Sequence, residues 1–139
     1  MSKQDHMRRA RGESVKSPMN TKVGALIVAG DAIVTGYNKI PDYVTEEFSG
    51  HILDDVDQHA ERTAINRAAR TGVRLNHSTL YVTHTPCPTC AGALIDAGIA
   101  EVIICEENHI KYQSRPKWES RWKVSAKLLS QAKVRVEFI

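Results

Sequence analysis

Nothing in the 139 residues approaches the roughly 20 consecutive apolar positions that a bilayer-spanning helix needs. Nor does an apolar stretch follow the polar, basic residues 1–11, so neither a membrane anchor nor a secretory signal is expected. Cysteine is scarce and odd in number, with three residues in all. That rules out a disulfide framework and points to a reducing, cytoplasmic setting. Internal repeats, low-complexity tracts and linkers are absent too, which at this length predicts one domain over residues 1–139. A net charge of +3 is too small to imply polynucleotide binding by itself.

What is present reads as alternating helix and strand. Residues 4–16 carry a thin apolar stripe (Met7, Ala10, Val15) weakened by Gly12, and predict a first helix. Residues 22–28 read as a buried strand, Ala29-Gly30-Asp31 as a turn, and residues 32–37 as the second arm of a hairpin. Residues 38–57, with Pro41 and Gly50, read as a long loop. A helix follows from His59 to about Arg70, with Gly72 placed to end it, and residues 79–84 alternate as a strand. Pro86 blocks helix before it, while Pro88 suits the first turn of a helix ending at Gly98. Residues 102–105 form a strand, then come a basic, Trp-containing loop, a helix over 119–131 and a last strand over 134–138. The order α-β-β-α-β-α-β-α-β predicts an α/β sandwich with helices against a mixed sheet.

Two stretches carry chemistry: His59-Ala60-Glu61 and Pro86-Cys87-Pro88-Thr89-Cys90. One imidazole and two thiolates make three zinc ligands, whereas a structural zinc takes four, so a position is left for water. Cys87 and Cys90 are three apart on one helical turn, where the helix dipole and free N–H groups favour thiolate. His59 opens the preceding helix, so two helix starts are expected to meet around one cation. Glu61, two residues from the imidazole, is expected to exchange protons with the water, which describes a hydrolytic catalyst. A structural zinc would need a fourth ligand from His51, His77, His84, His109 or Cys105, none of which has paired spacing with the motif. Cys105 reads as core, His84 as a strand-end residue or, coming just before the metal loop, a group behind the metal ligands, and His6, His77 and His109 as surface.

Charge is segregated around this motif. Residues 41–58 hold six acids (Asp42, Glu46, Glu47, Asp54, Asp55, Asp57) and no Lys or Arg, whereas residues 111–127 hold six bases against Glu119 alone. An acidic segment leading into the metal site opposes a long phosphate backbone but tolerates one phosphate arriving from the basic side. Arg115 and Lys117 are the first candidates to hold it, with Lys22 and Lys39 next.

H-x-E followed by P-C-x-x-C is the pattern of the zinc-dependent nucleobase deaminases. With it in place, the chain resembles the deoxycytidylate (dCMP) deaminases of the cytidine deaminase superfamily, from about Ser17 to Ile139. Ser17-Pro18-Met19-Asn20-Thr21-Lys22-Val23-Gly24-Ala25-Leu26-Ile27-Val28 is similar to the family's opening strand. Gly36-Tyr37-Asn38-Lys39-Ile40-Pro41 is similar to its G-Y-N-G-x-P element, and Ala97-Gly98-Ile99 to its A-G-I. The resemblance implies a three-layer α/β/α sandwich on a mixed five-stranded sheet, one Zn²⁺ per chain held by His59, Cys87 and Cys90, and a homo-oligomer, dimer or hexamer. It implies hydrolysis of dCMP to dUMP and ammonia, supplying thymidylate synthesis. Asn38 is then a substrate contact, Tyr112 an aromatic residue near the base, and Ala60, Thr85 and Pro86 further contacts beside the metal. Trp118 and Trp122 are expected to pack the last helix onto the core or a neighbouring subunit. The chain departs from the family at Lys39, where members regulated by dCTP and dTTP have glycine. It also lacks the Cys/His insert that carries an extra zinc in some phage enzymes. Two other readings stay open. One is a different deaminase of the superfamily, acting on dCTP, modified dCMP, tRNA adenosine or guanine. The other is a non-catalytic zinc module that binds nucleic acid.

Overall fold

The apolar run Gly-Ala-Leu-Ile-Val-Ala forms strand β1 (Gly24–Ala29), and the turn at Gly30 returns the chain as β2 (Ala32–Tyr37), antiparallel, with Val28 opposite Ile33. In the computed structural model, which describes residues 1–139, three further strands complete a five-stranded sheet: β3 (Thr79–Val82), β4 (Glu101–Ile104) and β5 (Arg135–Phe138). The strand order is β2-β1-β3-β4-β5. β1 is antiparallel to both neighbours, while β3, β4 and β5 run parallel, so the sheet is mixed as expected.

Strand side chains alternate between faces, and here each face has its own core. Ala25, Ile27, Leu80, Val82, Val102 and Ile104 join one cluster with residues of α3 (Ala60–Thr71), α4 (Pro88–Asp96) and α6 (Pro116–Gln131). Leu26, Tyr81 and Ile103 point the other way, onto Met7 and Ala10 of α1 (Lys3–Ser14). The thin stripe of α1 therefore suffices, since it covers only a small core. Each fully buried Leu or Ile contributes about 1.5–3 kcal/mol, so the larger face dominates stability. No helix is long and apolar enough to cross a membrane.

Two close fits position the helix that matters most. At Gly36 a Cβ would stand 2.5 Å from the Ala60 carbonyl oxygen and 2.6 Å from the Ala64 nitrogen, so only glycine lets α3 lie this near β2. At the other end of α3, Gly72 adopts φ 76° and caps the helix, as its position in the sequence predicts.

Two segments differ from the sequence reading. Residues 38–57 are not loop throughout: α2 (Ile52–Val56) forms there, with Asp54 and Asp55 in its first turn and the Asp57 N–H closing it onto the Leu53 carbonyl. The basic loop is also helical, as α5 (Glu106–Tyr112) and the start of α6, where Pro116 occupies the first turn. Asn108 ties α5 down by donating to the Thr83 carbonyl at 2.7 Å. The element order thus gains two helices over the predicted series.

Candidate metal centre and cleft

The metal-type residues sit at two helix starts. His59 is the extended residue before α3, and Cys87 the extended residue before α4, with Pro88 in that helix's first turn. His59 Nδ1 lies 3.5 Å from Cys87 Sγ and 3.4 Å from Cys90 Sγ, and all three donor atoms fall within 4.8 Å of one another. A tetrahedral zinc with Zn–N near 2.0–2.1 Å and Zn–S near 2.3 Å separates its N and S ligands by about 3.6 Å. The donor set fits that ion. None of His51, His77, His84, His109 and Cys105 joins the group, so the side chains offer three ligands and no fourth.

Electrostatics suit a dication as well. The Cys90 thiol, then the His59 ring, hold Cys87 down at about 3, well into the thiolate range. That negative charge, together with burial, pushes the Cys90 thiol far up, and it raises His59. Left to themselves, two sulfurs and an imidazole this close keep a proton among them, which a bound divalent ion displaces. Glu61 stands in the first turn of α3, 3% exposed, and burial holds its carboxyl above the usual range.

A cleft of about 390 Å³ opens over this corner. His59, Ala60, Glu61, Thr85, Pro86 and Cys87 form its floor, with Asn38 and Lys117 on the walls, so the structure brings these predicted residues together. Cys90 lies fully buried behind them. Asn38 has little of its amide free: Oδ1 accepts from the Val23 N–H at 2.9 Å and Nδ2 donates to the Thr21 carbonyl at 2.7 Å.

Four predicted contacts lie outside this cleft. Lys22 donates to the Ser17 carbonyl, and Lys39 is paired with Asp42, so each ammonium is held locally. Tyr112 lines a neighbouring cleft, and Arg115 stacks on the Tyr112 ring 4.2 Å from its centre. Sequence reasoning did not place Arg121, Asp57, Trp118 or Trp122 on a cleft wall. Lys117, Trp118, Arg121 and Trp122 recur at helical spacing along α6, a pattern visible once Pro116 is taken as the helix start. Trp122 also leans on the core as expected. His84 lies two residues past the end of β3, as expected, and it is not exposed. It is buried against Tyr112 and Trp118, at ring separations of 5.2 and 5.8 Å. Burial, aided by Lys111, lowers its pKa to about 4, so the ring is neutral at pH 7. His6 and His109 are not free surface residues either, since they pack on Tyr81 and Phe138.

The comparisons agree with this geometry. A family model for the cytidine and deoxycytidylate deaminase zinc-binding region matches residues 1–106. A protein of Aliivibrio fischeri described as an uncharacterised deaminase in the luxG 3′ region is 37% identical over 134 residues, 92% of this chain and 85% of that one. The deoxycytidylate deaminase of Enterobacteria phage T4 is 41% identical over 61 residues, 44% of this chain but only 30% of its own length. In fold, the chain is similar to the dCMP deaminase of cyanophage S-TIM5 in its apo form, with a TM-score of 0.79 at 24% identity and 100% of both chains covered. With its three-ligand zinc site and the family match across both motifs, the chain belongs to the cytidine and deoxycytidylate deaminase family, hydrolases of a carbon–nitrogen bond with one zinc per chain.

Proposed function

We propose that this chain hydrolyses dCMP to dUMP and ammonia, a product that feeds thymidylate synthesis. The observation that carries the reading is a buried carboxyl, Glu61, beside a His/Cys/Cys donor set at the floor of a nucleotide-sized cleft. Zinc held by His59, Cys87 and Cys90 supplies, when bound, the Lewis acidity that brings the pKa of water to about 7. Glu61 takes a proton from the attacking water as its oxygen bonds to C4 of the pyrimidine, and delivers that proton to N3. It then carries the second proton to the exocyclic amine, the C4–N bond breaks, and ammonia leaves. Burial suits Glu61 to both tasks, because a raised pKa keeps the delivered proton from escaping.

The far rim favours a mononucleotide. Lys117 and Arg121 on α6 can hold one phosphate, while Asp54 and Asp57 on the opposite side repel further ones. The relatives named deoxycytidylate deaminase support the same substrate class. An ammonia-release assay across dCMP, CMP, dCTP, cytidine, adenosine and guanine tests it. dCMP is expected to give the highest kcat/KM, and equal inertness towards every pyrimidine nucleotide reverses the reading.

A further inference from the structure

Five buried side-chain atoms lack a hydrogen-bond partner, on His6, Glu13, Asp57, Arg62 and Thr63, and only Asp57 belongs to the wall of the metal cleft. The residue is 8% exposed and its Oδ1 is shielded from solvent, yet that oxygen bonds to nothing. Its backbone is fixed, since the Asp57 N–H closes α2 on the Leu53 carbonyl at 3.0 Å. A buried carboxylate left without a donor is costly. The contrast with Asn38 is direct: that residue, implicated by the family resemblance, spends its amide on the backbone, whereas Asp57 Oδ1 meets no donor from another residue.

What donates to Asp57 follows from the two walls. The Asp57 side of the cleft is tied to the end of β2 at one edge of the sheet, by paired backbone hydrogen bonds between Lys39 and Gln58. The wall bearing Lys117 and Arg121 is α6, packed on α4 and on β5 at the other edge. On a deoxyribose ring, the 5′-carbon and the 3′-hydroxyl leave from opposite faces. A nucleotide whose base meets the metal floor and whose phosphate meets α6 therefore turns its 3′-hydroxyl towards α2. The geometry points to Asp57 as the acceptor for the 3′-hydroxyl of a nucleoside 5′-monophosphate, and so as a residue that selects for an intact sugar. This rests on the nucleotide reading above.

The test pairs a change in the protein with a change in the substrate. Asp57→Ala and Asp57→Asn, each checked for zinc content and thermal unfolding, are compared with wild type on dCMP and on 2′,3′-dideoxycytidine 5′-monophosphate. Loss of a charge-assisted hydrogen bond corresponds to roughly a 10- to 100-fold change. Wild type is expected to prefer dCMP by that factor, and Asp57→Ala to lose it on dCMP while staying within about threefold of wild type on the dideoxy compound. Asp57→Asn, which keeps an acceptor oxygen, falls between, and it decides the matter if the alanine variant does not fold. Equal losses on both substrates, no loss on dCMP, or a wild type blind to the 3′-hydroxyl overturns the assignment. Should wild type prove inert towards dCMP, the substrate reading fails separately. Dissociation constants for AMP, GMP and UMP against their 3′-deoxy forms then decide Asp57: the same variant pattern supports it, and equal or absent binding overturns it.

Discussion

The two ends of the cleft are built differently. At the floor, His59, Glu61 and Cys87 come from two short stretches of chain, each fixed by the start of a helix that lies on the sheet. At the rim, Asn38, Asp57 and the α6 pair Lys117 and Arg121 come from three distant segments, and the side chains must reach inward to meet a ligand. The floor is set by backbone and the rim by side chains. The metal-type side chains are thus placed by helix starts, whereas the proposed substrate contacts depend on side-chain reach.

The sharpest break in that contrast is at Glu61. Glu61→Gln keeps the volume and all three metal ligands, so zinc content is expected to be unchanged while kcat falls by about 10³-fold or more. A variant that binds zinc and retains half its rate removes Glu61 from the proton path. A smaller effect is expected at the rim. Lys117→Ala and Arg121→Ala should each raise KM for dCMP about tenfold, in line with one charged hydrogen bond lost. Cytidine turnover should not change, and Arg115→Ala, stacked on Tyr112 outside the cleft, should shift KM less than about twofold. Similar losses on cytidine would move those two cations off the phosphate.

The subtlest effect concerns His84, buried between the two clefts with Nδ1 paired to Thr83 Oγ1 at 2.8 Å. Its folded pKa of about 4 lies below the ordinary 6.5, so above pH 6.5 neither state binds this proton and stability is unaffected. As pH falls from 6.5 towards 4, the unfolded chain takes up a proton that the folded chain refuses, and stability declines. Between pH 7 and pH 5 this amounts to about 2 kcal/mol. Denaturant midpoints for His84→Gln should show that much less loss than wild type over the same interval. Parallel pH curves would show that His84 protonates freely in the fold.

The floor was legible in the sequence because its information is local. Metal ligands at fixed spacing, a carboxylate two residues on, and prolines that mark a helix start all lie within a few positions of one another. The hairpin of β1 and β2 was legible for the same reason. The rim was not. α5 is seven residues long and is held by Asn108 on Thr83 and by His109 against Phe138, contacts that no local pattern announces. α2 is shorter still, with no buried residue to give it a period. Lys39 and Lys22 looked available because sequence shows charge but not the Asp42 carboxylate or the Ser17 carbonyl that occupies each. Conversely, Arg121 and Asp57 read only as members of charged segments, and it is the fold that sets both along the cleft.

The bare backbone contact at Gly36 means that no cushion of side chains lies between β2 and the start of α3. That helix rides on the strand itself, so the strand sets where His59 and Glu61 stand. Trading one hydrogen at position 36 for carbon would therefore wedge the start of the helix off the strand and carry His59 and Glu61 away from the two cysteines.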